Sequence, residues 1–299
     1  MLFEHLKVAA EAGVAAPVDV ASSVILASAL TITLGTYVVS SLVAGRPLLA
    51  DRVQREAALP LVGRTPMHAV YRALVPLGRG LATLGVSANV VSVAALFIAA
   101  LAALAFGTGH FGVAAVIACT ASLADGLDGL IARLTDTKSR FGQVLDTTID
   151  RYVDALFLGG IAFYVRFDAA LLLLTIAAIV GSFMVSYASS VERELRVTGA
   201  PASMRRAHRL VYLLGASALS PLVRSAFGES DQAGLVPVFL AVGAIAVVGN
   251  VSAVRRLLAA ARSAEAFESP SPKTDSLAPG SGPDVELAAA ENRLRQERL

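Results

Sequence analysis

The stretch Asp125-Gly126-Leu127-Asp128-Gly129-Leu130-Ile131-Ala132-Arg133 decides how this chain is read. It closes an apolar run that starts near His110, and two further acids, Asp146 and Asp150, open the next apolar run just after Gly142. Carboxylates and an arginine thus stand in or against segments otherwise suited to lipid. Charge inside a bilayer is costly, so intramembrane acids pair, line a polar cavity or bind something. Function is expected here first.

Working outward, the 299 residues are 56% hydrophobic and 16% charged, where a soluble domain carries about 25% charged residues. With a mean hydropathy of +0.68, the composition calls for an all-α, polytopic membrane helix bundle. A net charge of +2 selects no class of partner, and no nucleic acid is expected. The one cysteine, Cys119, excludes an internal disulfide and a Cys-based zinc site; in its apolar run it reads as a small buried hydrophobe.

Largely apolar runs are expected as spans at about 20–45, 87–107, 110–133, 141–165, 169–187, 210–223 and 235–254, the sixth of them short and holding Pro221, with Ser87 capping the second. Between the first two lies an interval with six arginines and two acids. Its second half carries Val70, Leu74, Leu77, Leu81 and Leu84 along one side, as an interfacial helix or a helix packed on the bundle would. Four parts follow: 1–45, an N-terminal segment with an extra transmembrane helix; 46–85, a cytoplasmic or interfacial amphipathic segment; 86–262, a six-helix transmembrane domain; and 263–299, a Ser/Pro/Gly-rich tail of disordered composition. Arginine and lysine concentrate in 46–86, 133–141, 192–209 and after Arg255, and are sparse near 107–110, 166–168 and 224–233. The positive-inside rule then sets the N-terminus outside, the C-terminus inside and both halves of the acidic motif at the cytoplasmic face, in a bacterial inner or plasma membrane.

Asp125 and Asp128 are spaced i, i+3 and Asp146 and Asp150 i, i+4, so each pair shares a helix face about one turn apart. Two helices joined by a short loop can gather these acids, and unneutralised they would repel. Hard oxygen ligands suit Mg²⁺ or Mn²⁺. Gly126, Gly129 and Ala132 keep the intervening face small, and Arg133 offers a planar fork for phosphate. Carboxylates, a divalent cation, an arginine and room for a ligand make a phosphoryl-transfer kit.

The pattern Asp125-x2-Asp128-Gly129-x2-Ala132-Arg133-x8-Gly142-x3-Asp146-x3-Asp150 resembles, without gap or substitution, the signature of the CDP-alcohol phosphotransferases (CDP-alcohol phosphatidyltransferases). Gly85-Val86-Ser87-Ala88-Asn89 resembles that family's entry into its first core helix. The resemblance implies a six-helix core, here with one extra N-terminal transmembrane helix, and a metal-dependent enzyme of phospholipid biosynthesis. Such an enzyme moves a phosphatidyl group from CDP-diacylglycerol to a polar alcohol with release of CMP. Carried over by position, Asp125, Asp128, Asp146 and Asp150 would hold a pair of Mg²⁺ or Mn²⁺ ions, and Asp150 would also be the catalytic base. Gly126, Gly129, Ala132, Arg133 and Gly142 would shape the CDP site. The resemblance also implies a homodimer.

Arg151-Tyr152-Val153-Asp154, Ser186-Tyr187 and Arg205-Arg206-Ala207-His208-Arg209 resemble the branch that uses inositol phosphate. Ser186, Arg206 and Arg209 are therefore acceptor candidates, with His208, Arg255 and Arg256 in reserve. That branch follows Ser-Tyr with Lys-Ala-Arg-Ala-Glu, whereas Ser189 stands here at the lysine position, so glycerol phosphate, serine and other alcohols stay open. The rival from another class is an ion- or proton-coupled transporter using the same acids as a relay. It leaves the glycines, Ala132 and Arg133 without a role, and no inverted repeat supports it.

Overall fold

A computed structural model of the chain describes residues 15–44, 65–197, 204–227 and 231–268. Most of the expected tail, the loop 198–203 and the first half of the amphipathic segment lie outside the described residues. Among those described there are eight helices and no strand: α1 (Ala15–Ala44), α2 (Thr65–Thr83), α3 (Ala88–Gly107), α4 (Phe111–Leu134), α5 (Arg140–Tyr164), α6 (Ala169–Glu194), α7 (Arg206–Ala226) and α8 (Asp231–Glu268). Five of them, α1, α3, α4, α6 and α8, are long and apolar enough to cross a membrane. The chain is an integral membrane protein. Helices α5, of 25 residues, and α7, of 21, have spanning length but carry the ionisable residues of the site.

The helix ends follow local chemistry. Ser87 caps α3 by accepting from Val90 N, and Ser139 caps α5 by accepting from Gly142 N at 2.9 Å. Asp168 caps α6 by accepting from Leu171 N at 3.0 Å. Helix α4 ends in a Schellman closure: Asp136 is left-handed at φ 52 and Thr137 N donates to Ala132 O at 3.1 Å. That closure turns the chain into α5 within a few residues. In the apolar α1, Thr31 and Thr33 donate back to Ala27 O and Ala29 O at 2.8 Å, which satisfies their hydroxyls where no water is at hand.

Six helices close a ring in the order α3, α4, α7, α8, α6, α5 and back to α3, each packed on its two neighbours. Helix α1 lies outside the ring against α4 and α7, and also meets α2. Close crossings hold the ring together: a Cβ on Gly160 would meet Ala103 O of α3 at 2.4 Å, and one on Gly181 would meet Asn250 of α8. Small residues at such crossings let helix backbones approach where no hydrophobic force drives them together. Asn250 donates across the second crossing to Ala177 O at 2.9 Å. At one end of the bundle Phe106, Phe111, Phe157 and Tyr164 pack ring on ring; the acids lie at the other.

Two segments differ from their expected form. The apolar stripe of α2 is divided: Leu74 and Leu81 pack with Tyr71 and Val75 against Leu127, Leu130 and Ile131 of α4, while Leu77 and Leu84 face outward. The stripe is broad enough that one edge meets protein and the other is left for lipid. Helix α8 continues past Val254 and across residue 262 to Glu268. Residues 255–268 are rich in Ala, Leu, Arg and Glu, with no Gly or Pro to stop them.

Candidate active site

Helices α4 and α5 do not pack closely on each other; both pack on α3, which leaves an opening between them lined by acids. Asp125 and Asp128 from α4 and Asp146 from α5 each offer an oxygen, all within 4.8 Å of one another. Asp128 is buried, and both of its oxygens are oriented: Oδ2 accepts from Ser92 Oγ of α3 at 2.5 Å and Oδ1 from Gly129 N. Asp125 keeps a buried oxygen, Oδ1, with no hydrogen-bond partner among the described residues. Three convergent carboxylates, one with an unused buried lone pair, form a hard-oxygen donor set that suits a divalent cation.

The fourth acid of the motif has a different neighbour. Asp150 Oδ1 lies 2.7 Å from Arg206 Nη1, which also donates to Asp125 Oδ2 at 2.9 Å. One turn further along α5, Asp154 accepts from Arg209 Nη2 at 2.6 Å and from Ser182 Oγ of α6 at 2.8 Å. Its other oxygen stands 3.5 Å from Arg206 Nε. Helix α7 therefore enters the ring with Arg206 and Arg209 turned inward on the acids. Several donors are buried without a hydrogen-bond partner among the described residues: Arg206 Nε and Nη2, Arg209 Nε, and Arg133 Nη2. An unmet buried donor costs about 1–3 kcal/mol, so those on Arg206 and Arg209, beside the acids, mark a place for an anion. The cleft thus has a cation-seeking half on α4 and α5 and an anion-seeking half on α7.

The remaining candidates divide between the cleft and its walls. Gly126 turns towards α2, where a Cβ would touch Leu74 at 3.6 Å. Gly142 sits at the start of α5, and a Cβ there would lie 3.5 Å from Asn89 Oδ1. Ala132 belongs to the closing turn of α4. Ser186 Oγ donates to Ser182 O within its own helix at 3.2 Å; the serine that reaches Asp154, the arginines' partner, is Ser182. Asp154 pairs with Arg209 and not with Arg151, whose Nη1 donates to Thr147 O. His208 Nδ1 accepts from Arg205 N at 3.4 Å, closing the first turn of α7. Arg256 is bound through Nε and Nη2 to Glu192, and Arg255 is exposed. Sequence reasoning missed Ser92 and Ser182. The only available signal was a lone hydroxyl in an apolar helix.

Comparison with known proteins adds the following. A sequence model of the CDP-alcohol phosphatidyltransferase family matches residues 85–255. The archaetidylinositol phosphate synthase of Pyrococcus horikoshii is 37% identical over 152 residues, covering 50% of this chain and 78% of the relative. A crystal structure of phosphatidylinositol phosphate synthase from Mycobacterium tuberculosis with CDP-DAG bound superposes with a TM-score of 0.56 at 26% identity, over 63% of this chain and 94% of that one. The same enzyme in complex with manganese and citrate gives a TM-score of 0.56 at 26% identity, over 62% and 88%. Helix α1 precedes the matched region.

Proposed function

The chain belongs to the CDP-alcohol phosphatidyltransferase family, and from that premise we propose that its acceptor is a phosphorylated polyol, inositol phosphate first. The phosphatidyl group of CDP-diacylglycerol would pass to the acceptor hydroxyl with release of CMP. The observation that carries this reading is the pair of inward arginines, Arg206 and Arg209, with unmet N–H donors beside the carboxylates. A neutral alcohol such as free inositol would leave those donors unpaired, whereas a phosphate monoester takes them in bidentate geometry. Glycerol phosphate shares that chemistry and is the next candidate, the more so because Ser189 stands where the inositol-phosphate branch carries lysine. The transporter reading gives way to the family assignment.

Asp125, Asp128 and Asp146 are the residues that would hold Mg²⁺ or Mn²⁺, as two ions with Asp150 at the edge of the group. Bound there, the cations would offset the pyrophosphate charge and stabilise the leaving CMP. Arg133 Nη2 is free to meet a donor phosphate, and Gly129, Ala132 and Gly142 keep the approach to it open. Asp150 accepts the proton of the acceptor hydroxyl as that oxygen bonds to the phosphatidyl phosphorus and the P–O bond to CMP breaks. Arg206, 2.7 Å from Asp150, holds that carboxylate in place beside the acceptor site.

The cytoplasmic face for this chemistry is part of the same proposal. Lys138, Arg140, Arg193, Arg196 and Arg205 lie near the acidic end, and Arg166 and Arg224 near the other, as the positive-inside rule requires. The start of α1 meets the turn before α4, at the end away from the acids, which supports an outside N-terminus. A homodimer is proposed on family grounds. The test is an acceptor panel: the purified chain with CDP-diacylglycerol and Mg²⁺ is expected to release CMP with inositol phosphate or glycerol phosphate. Turnover with serine or free inositol but with neither phosphate ester would overturn the reading.

A further inference from the structure

Asp154 stands outside the group of three convergent carboxylates, and its oxygens are committed elsewhere. Oδ2 receives both Arg209 Nη2 at 2.6 Å and Ser182 Oγ at 2.8 Å, and Oδ1 faces Arg206 Nε at 3.5 Å. The carboxylate and its two close partners are enclosed: Asp154 is 8% exposed, Arg209 4% and Ser182 2%. One carboxylate on α5 therefore ties α6 to α7 and reaches both arginines at once. Each guanidinium keeps an N–H group that Asp154 does not face, Nη2 on Arg206 and Nε on Arg209. Arg209 is also steadied from behind by Met204 O at 3.4 Å from Nη1.

We propose that Asp154, locked by Ser182, is a positioning residue that fixes Arg206 and Arg209 side by side, making their remaining donors one receptor for a phosphate monoester next to Asp150. This rests on the reading that the acceptor is phosphorylated, and adds how the site selects it. A guanidinium already anchored through one edge loses little freedom when its other edge meets an oxyanion, and the planar fork rewards a fixed angle. Ser182 is the deepest member of the set: its hydroxyl settles which way the Asp154 carboxylate faces, and Asp154 in turn aims the arginines. Outer partners that orient binding groups in this way commonly alter affinity by about 10–100-fold when removed. A tie that merely joined three helices would loosen every site on them together.

Asp154→Asn keeps the shape, removes the charge and sets an amide donor towards Arg209. Its expected signature is a KM for the phosphorylated acceptor raised by about 10–100-fold. The Ki of inorganic phosphate as a competitor should rise in parallel, while the KM for CDP-diacylglycerol and the Mn²⁺ affinity read by electron paramagnetic resonance stay as in the wild type. Ser182→Ala should shift acceptor KM and phosphate Ki the same way by a smaller factor, and Asp154→Glu should recover part of the loss. If Asp154→Asn weakens acceptor, donor lipid and Mn²⁺ alike, the residue is only a structural tie and the inference falls. If that variant does not fold, Ser182→Ala decides, and an unchanged acceptor KM there overturns the proposal. A wild type that shows no preference for a phosphate ester over its parent alcohol fails the preceding reading, before any variant is made. A clear preference with unchanged variants fails this inference alone.

Discussion

Asp128 is held from two sides, by Ser92 of α3 and by the amide of Gly129, so its carboxylate faces the opening in one orientation. Ligand carboxylates fixed this way bind more tightly, and losing the outer partner commonly costs about 10–100-fold in metal affinity. Ser92→Ala is therefore expected to weaken Mn²⁺ binding by about that factor, with Ser92→Thr close to wild type. Unchanged Mn²⁺ titration in the alanine variant would remove Ser92 from the account. Asp150 carries a separate burden: Asp150→Asn should lower kcat by about 10²–10⁴-fold, as loss of a general base does. Retained turnover would mean that another group takes the proton. These two residues also show what a sequence can and cannot disclose. Asp150 was legible because an acid in an apolar run needs a reason. Ser92 was not, because hydroxyls in such runs usually donate to the carbonyl four residues back, as Thr120 and Ser122 do here at 2.9 and 2.8 Å. Only the packing of α3 on α4 reveals that the Ser92 hydroxyl also reaches a carboxylate.

At the scale of elements, the docking of α1 on α4 is a capping interaction made between helices. The N-cap of α4, His110, makes no side-chain cap bond. Asp19 of α1 supplies it instead, accepting from Val113 N at 3.0 Å and pairing with His110 Nδ1 at 3.1 Å. Gly112 makes this possible, since a Cβ there would stand 2.2 Å from Asp19 O. Asp19→Ala should lower stability by about 0.5–2 kcal/mol, the usual worth of a helix cap, seen as a lower Tm in detergent. Gly112→Ala should cost more, because backbone must move to admit the methyl group; a Tm equal to wild type in both would refute the docking. The start, end and order of most helices could be read in advance from Ser87, the Gly107-Thr108-Gly109 turn and the charge-free runs. Asp19 could not, since a single acid before a span reads as an ordinary flank until a second helix is beside it. The face of α2 was half legible: its apolar stripe was visible, but which edge met α4 depended on the tertiary fold.

For the whole molecule, the decisive feature is that α4 and α5 are held apart by α3 while α7 turns two arginines into the gap. Spacing along the chain announced that the acids share helix faces. Of the four acids expected to gather from neighbouring helices, Asp125, Asp128 and Asp146 converge while Asp150 lies against Arg206, and both helices pack on a third rather than closely on each other. In the proposed reaction, the opening between α4 and α5 is where a nucleotide and a lipid phosphate would meet the acceptor. The role of Arg206 as a bridge between Asp125 and Asp150 had no signature in one dimension, because a basic cluster before a span also serves as a membrane anchor. The measurement that tests the central claim most directly is the identity of the lipid made by the purified chain in lipid nanodiscs from CDP-diacylglycerol, inositol phosphate and Mg²⁺. The account predicts a phosphatidyl lipid whose mass includes the acceptor with its phosphate, formed with equimolar CMP and abolished by chelation of the metal. No CMP release with any phosphorylated alcohol, or a product lipid lacking the acceptor phosphate, would contradict it.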